Sequence, residues 1–321
     1  KGVINMNKFK KLGLTALAAS LVSVSAHSGE MTVSGSASIG LKNNSGQDAG
    51  KAITMGNQLT FSGGGELDNG LNVALSFVLD HADNDVSGFD SHSITISSDA
   101  LGSIVIAGDG AGNAQSALDT TAAGDIWDNG FKAGAADTAY VAMEGSDASD
   151  NSVNYTLPTL MDDLSISASY SSGGAAVQST TAFGVTYTGV EGLSVSYGAG
   201  EAGSTTATAS GDVTTMKASY AIGSFTAAVS NTESDKDSTG IDEEMDSWKI
   251  SYTVSDNLSI SYGEETHETS GQSVDEEFEA ISVSYTTGGM TLTAAQYDAS
   301  GLGNNSAQKA ERWKLGASFA F

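Results

Sequence analysis

Arg312-Trp313-Lys314-Leu315-Gly316-Ala317-Ser318-Phe319-Ala320-Phe321 is the stretch whose pattern decides the fold. Trp313, Leu315, Ala317, Phe319 and Phe321 alternate with Arg312, Lys314, Gly316, Ser318 and Ala320. Successive side chains of a strand point to opposite faces, so one face is apolar and aromatic and the other small or cationic. A strand at the C-terminal Phe has no next segment in sequence to pair with. It is expected to pair back with the first strand and close a ring, which removes both sheet edges. An apolar exterior, a polar interior and no edges describe a barrel in lipid.

Composition agrees. The 321 residues suffice for two ordinary domains or one large β domain, and 39 Gly with a single Pro favour the latter. The formal charge of -26, from 39 acidic and 13 basic residues, excludes a nucleic-acid binder, because phosphate contacts need clustered Lys and Arg. A mean hydropathy of -0.11 looks soluble, yet alternating apolar residues in a transmembrane barrel are hidden by any window average. Without Cys there is neither a disulfide scaffold nor a thiolate metal site.

Residues 1–28 carry the order of an export signal. Lys8, Lys10 and Lys11 form a basic segment, Leu12–Val22 an apolar one too short to anchor in a bilayer, and small residues follow. Cleavage after Ala26 and after Ser28 both fit, and Met6 is the expected start, with residues 1–5 upstream of it. Removal of residues 1–28 takes four Lys and no acid, leaving 9 basic against 39 acidic residues. The expected barrel domain is 29–321.

From Glu30 on, one unit recurs: an alternating segment, a tight turn, a second alternating segment, a longer polar loop. Met31, Val33, Ala37, Ile39 and Leu41 share a face, as do Ile53, Met55, Leu59 and Phe61. Asp68-Asn69-Gly70 is a turn signal, and turn-Leu-Ser-Ile/Val-Ser returns at Asp162–Ser167, Glu191–Ser196 and Asp256–Ser261. The count predicts sixteen strands, beginning near residues 30, 52, 70, 91, 101, 151, 164, 180, 192, 212, 223, 247, 257, 278, 289 and 311. Short and long connections alternate, which is the asymmetry of outer-membrane barrels with periplasmic turns and extracellular loops. Tyr155, Tyr170, Tyr187, Tyr197, Tyr220, Tyr252, Tyr262 and Tyr285 lie on the apolar face, several beside short turns, as an interfacial girdle requires.

The connection from about Asp109 to Asp150 is the longest, and loops of that length usually carry function. Leu101–Gly108 before it, Asn151–Pro158 after it, and Phe61-Ser62 through Glu66–Gly70 resemble the general diffusion porins of alphaproteobacteria. The terminal Phe321, with Phe319, resembles the assembly signal of bacterial outer-membrane proteins. The resemblance implies a Gram-negative outer-membrane location amid lipid and lipopolysaccharide, a homotrimer, and passive diffusion of small hydrophilic solutes without a catalytic step. It also implies that the third long loop folds into the lumen, with Asp119, Asp125 and Asp128 forming one wall of a pore constriction and Trp127 anchoring it.

The opposing wall follows from strand phase. Lys42, Lys217, Lys249, Arg312 and Lys314 are each out of phase with the apolar face of their strand. All five are expected in the lumen, since a lipid-facing charge costs roughly 2–4 kcal/mol at mid-bilayer. First and last strands are neighbours in a closed barrel, so Lys42, Arg312 and Lys314 should share one wall. Cations opposite carboxylates set up a transverse field across the pore. Acidic loops at Asp80–Asp90, Glu233–Asp246 and Glu264–Glu277 should concentrate cations at the mouth, giving moderate cation selectivity that weakens in salt.

Other motifs carry less. Asp83-Asn84-Asp85-Val86-Ser87-Gly88 begins like a calcium loop, but Ile94 occupies the place of the closing Glu, so only a weak Ca²⁺ site at Asp83 and Asp85 is expected and no other cofactor. Gly198-Ala199-Gly200-Glu201-Ala202-Gly203 spells a dinucleotide fingerprint without the βαβ unit that gives it meaning. No Gly-x-Ser-x-Gly elbow supports an esterase. The alternatives to a diffusion porin are a substrate-selective channel of the same build and a surface-interaction barrel acting as adhesin or receptor.

Overall fold

The computed structural model describes residues 30–44, 50–80, 90–110, 112–131, 146, 151–173, 178–202, 210–237 and 241–321. The signal segment and the Asp83/Asp85 calcium expectation lie outside these residues. Sixteen strands follow in order. They are β1 (Glu30–Asn44), β2 (Gly50–Glu66), β3 (Asn72–Asp80), β4 (Ser91–Ser98), β5 (Gly102–Asp109), β6 (Ser152–Thr156), β7 (Leu164–Ser171) and β8 (Thr180–Tyr187). Then come β9 (Leu193–Ala202), β10 (Gly211–Ile222), β11 (Phe225–Lys236), β12 (Glu243–Ser255), β13 (Leu258–Thr269), β14 (Glu276–Thr287), β15 (Met290–Ser300) and β16 (Lys309–Ala320). Each pairs antiparallel with its neighbours in sequence, and β16 pairs with β1, so the sheet closes without an edge.

The closure is in the register that the alternation demands. Lys42 faces Lys314, Leu41 faces Leu315 and Ile39 faces Ala317, so like faces meet across the seam. Met31, Val33, Ile53, Met55, Met216, Ile250 and Ile281 are exposed on the outer surface, where lipid replaces water as the solvent. Many inward positions are Ser, Thr, Gly or Ala, and Ser169, Thr215, Ser230 and Ser247 among them are buried where the long loop lies against them.

Two flanks differ in height. Strand β6 has 5 residues and β8 has 8, whereas β12 has 13 and β13 has 12. This corrects the expected loop boundaries. Most carboxylates assigned to acidic loops at 233–246 and 264–277 belong to the tall strands instead. Glu233, Glu244 and Glu268 line up across β11, β12 and β13, in phase with outward-facing Val229, Trp248 and Ile260. Glu264, Glu279, Asp298 and Glu311 likewise stand abreast on β13 to β16. They sit on the barrel's outer face, not around its mouth. Periodicity of two extends a strand through charged residues when those residues stand above the hydrocarbon, so hydrophobicity alone ends it too early.

Candidate pore constriction

After β5 the chain turns into the barrel, and residues 112–131 run along the inner wall strand by strand. Ala114 N donates to Ser169 Oγ on β7 at 2.9 Å, and Gln115 Nε2 to Thr215 Oγ1 on β10 at 2.9 Å. Ala122 N donates to Ser230 Oγ on β11 at 2.7 Å, and Ala123 N to Ser247 Oγ on β12 at 2.9 Å. A buried loop must satisfy its backbone groups somewhere. The small hydroxyl residues that alternate through the lumenal face do this here, and leave the space for it. At Gly263 on β13 a Cβ would come within 2.9 Å of the Ala123 Cβ, so the loop rests on bare backbone there.

Glu265, 1% exposed, is the main fastening. Its Oε1 accepts Ile126 N and its Oε2 accepts Trp127 N, both at 2.9 Å, and the Thr121 hydroxyl donates to Oε1. The carboxylate thus accepts from the backbone at the start of the short helical turn Trp127–Phe131. Thr121 also accepts Gly124 N and Asp125 N, and Asp125 Oδ1 accepts Thr121 N at 2.8 Å. Asp125 holds φ at 54°, the left-handed region that a short acidic side chain with local hydrogen bonds tolerates. Beyond this knot, Phe131 packs on Phe278 of β14 at 5.7 Å and edge-on to Tyr297 of β15 at 6.4 Å between ring centroids. Ala123, Ile126, Phe131, Phe278, Ala299 and Leu302 form one buried apolar cluster here.

The acids and cations singled out from the sequence meet at this level. Asp119 and Asp125 lie near enough to act on each other's charge and on Lys217, and Asp128 acts on Asp125 and on Lys314. Burial pushes the Asp119 carboxyl up to about 6, with the Asp125 charge adding to the shift and a backbone hydrogen bond and Lys217 opposing it. Burial also raises the Asp125 carboxyl, against its hydrogen bonds from Thr121.

The cations are not all across the pore from the loop. Lys217 Nζ donates to Thr120 O at 2.5 Å and Lys249 Nζ to Ala123 O at 3.3 Å, so both brace the loop from beneath. Arg312, 4% exposed, has its guanidinium 5.7 Å from the Phe131 ring centroid. Lys42 and Lys314 stand opposite each other on β1 and β16, beside the loop's far end. The charges are therefore interleaved along one side of the lumen. Glu265 was counted from sequence only as one acid among several in a loop. Its phase, opposite to Ile260 and Tyr262, was the signal that it points inward.

Comparisons with known proteins bear on what this architecture is. The profile of the Gram-negative porin family matches residues 13–321. A porin structure refined at 1.8 Å superposes with a TM-score of 0.67 at 18% identity, over 91% of this chain and 100% of that one. An anion-selective porin from Comamonas acidovorans gives 0.67 at 15% identity, over 92% and 100%. OmpT, an outer membrane protein of Vibrio cholerae in its trimer form, gives 0.64 at 17% identity, over 92% and 100%. A search of curated proteins finds no match. At such identities the structural neighbours establish the fold, and the family profile spans nearly the whole sequence. The chain belongs to the Gram-negative porins, and its barrel is a non-enzymatic channel of the outer membrane.

Proposed function

We propose that this porin passes small hydrophilic solutes and ions by passive diffusion with moderate cation selectivity, as a homotrimer exported by the signal in residues 1–28. One observation carries the diffusion reading: a loop fastened to the inner wall by Glu265 and a row of Ser and Thr hydroxyls, which narrows the lumen at a layer of ionised groups. The constriction residues in this reading are Asp119, Asp125, Asp128, Lys42, Lys217, Lys249, Arg312 and Lys314. Cation preference is supported by the carboxylates that the tall strands carry on their outer face, Glu264, Glu268 and Glu279 among them. Their field reaches the mouth only within about a Debye length, near 8 Å at physiological salt. The trimer form of Vibrio cholerae OmpT supports the oligomer.

Reversal potential of the refolded protein in a planar bilayer under a KCl gradient is the test. Ohmic steps in multiples of three with a potassium-favouring potential support all parts together. Anion preference would remove the selectivity, and no conductance from a folded barrel would remove the channel reading.

A further inference from the structure

Strand register puts two rows of inward residues one above the other on β12 to β16. One row runs Lys249, Gly263, Ala280, Tyr297 and Arg312. The adjacent row runs Ser251, Ser261, Ser282, Ala295 and Lys314, and continues to Lys42 on β1. Gly263 and Ala280 in the first row and Ser261, Ser282 and Ala295 in the second make low ground between Lys249 at one end and Arg312 and Lys314 at the other. The loop passes over this low ground at Ala123–Ile126 and bounds a partly open cavity of about 390 Å³. Lys249 and Lys314 line it from its two ends, and Ser261 and Ser282, sharing a hydrogen bond of 2.7 Å, form its floor.

From this geometry we infer that the cavity under the constriction loop is a binding subsite for a short hydroxylated organic dianion, one carboxylate at Lys249 and the other at Lys314. The inference rests on the channel reading only for how the ligand arrives. Four strand spacings of about 4.8 Å separate β12 from β16, and with a lysine side chain reaching in from each end the remaining gap suits a short chain and not a single small ion. Tyr297 fixes the second end: its ring is held edge-on by Phe131 and lies 5.4 Å from Lys314 Nζ. The acids nearby leave the amines attractive to an anion. Glu265, beside Lys249, has its oxygens turned to Thr121, Ile126 and Trp127. Asp128 acts on Lys314, but Lys42 and Arg312 act on it with the opposite sign. The paired serine hydroxyls can re-aim towards ligand hydroxyls, because each is both donor and acceptor. Potassium remains the carrier of current in this picture, and the dianion is a reversible plug.

Tartrate, with two carboxylates and two hydroxyls, is the probe, and lactate at equal ionic strength the control. Calorimetry on the folded barrel in detergent should show tartrate binding that weakens at least about tenfold in Lys314→Gln, the expected loss for one charge-assisted contact. Lys249→Gln should weaken it similarly. Because Lys249 also braces the loop, Lys314→Gln is the decisive variant, and Ser261→Ala/Ser282→Ala a second that leaves the fastening alone. In bilayers, tartrate should produce brief, reversible interruptions of potassium current that lactate does not. Equal binding of lactate, or tartrate binding unchanged in Lys314→Gln, overturns the subsite. A conducting barrel that binds no tartrate overturns it while leaving the channel, and a binding barrel that does not conduct does the reverse.

Discussion

Gly35 and Phe321 close the barrel backbone to backbone: Gly35 N donates to Phe321 O at 2.8 Å and Phe321 N to Gly35 O at 3.0 Å. The aromatic ring lies over the glycine, where a Cβ would fall 2.5 Å from it. Phe321 is 76% exposed, on the outer face that it shares with Phe319 and Leu315. The last residue therefore completes the seam between β1 and β16, and Gly35 is what lets its side chain lie flat against the wall.

Deletion of Phe321 removes two backbone hydrogen bonds, a loss of about 2 kcal/mol at roughly 1 kcal/mol each, and leaves Gly35 uncovered. Gly35→Val displaces the ring while keeping the bonds. Both variants should refold to a smaller fraction of barrel, the deletion more so, as read by mobility on unheated gels. Equal refolding of the deletion and the parent would show that the seam does not depend on its last residue.

Glu265→Ala should free the constriction loop without unfolding the barrel. Hydrogen bonds to a charged group contribute about 1.5–3 kcal/mol each, so losing even one shifts the docking equilibrium tenfold or more. Single-channel recordings should show larger and noisier conductance. Glu265→Gln keeps an acceptor for one N–H but turns an amide donor towards the other, and should fall between the two. Unchanged conductance in Glu265→Ala would assign the fastening to the serine row instead.

His267 and Glu276 form a fully buried pair at 2.9 Å, and Glu276 also accepts Gly303 N at 2.6 Å from the connection between β15 and β16. His267→Ala removes the imidazole that Glu276 contacts, and leaving a buried polar group short of one partner costs about 1–3 kcal/mol. Thermal unfolding in detergent should occur at lower temperature, while Glu276→Gln, which keeps polar contacts to both neighbours, should lose less. No change in either would mean that water replaces the partner.

Much of this structure was legible because a strand has a period of two and a barrel has one inside and one outside. The phases of Leu315 against Lys314, or Met216 against Lys217, were enough to expect Lys42, Lys217, Lys249, Arg312 and Lys314 in the lumen and the last strand beside the first. The loop was legible only by length. Its fastening was not, because Glu265 acquires meaning from Thr121 and Ile126, more than a hundred residues earlier, and no local pattern joins them. The outward carboxylates such as Glu264 and Glu268 were misplaced for a different reason. Above the hydrocarbon, alternation continues but its apolar half stops, so the strand looks like a loop. Lys217 and Lys249 were expected in the lumen by phase, and each reaches a carbonyl of the loop. That they lie under the loop depends on the path of the loop, which phase does not contain.

Selectivity should depend on pH through Asp119. Its carboxyl, on the loop and raised to about 6, is ionised above that pH and neutral below it. Acidification through this window removes one negative charge from the constriction while Lys217 remains charged, so potassium preference should fall. The raised value means that the folded state disfavours the charged form, so ionisation of Asp119 on raising the pH weakens, rather than strengthens, the local packing. Asp119→Asn should show the low-pH selectivity at every pH above the window and no inflection near 6, as read by reversal potentials across a pH series. An inflection that survives in Asp119→Asn would move the titrating group to Asp125, whose carboxyl burial also raises.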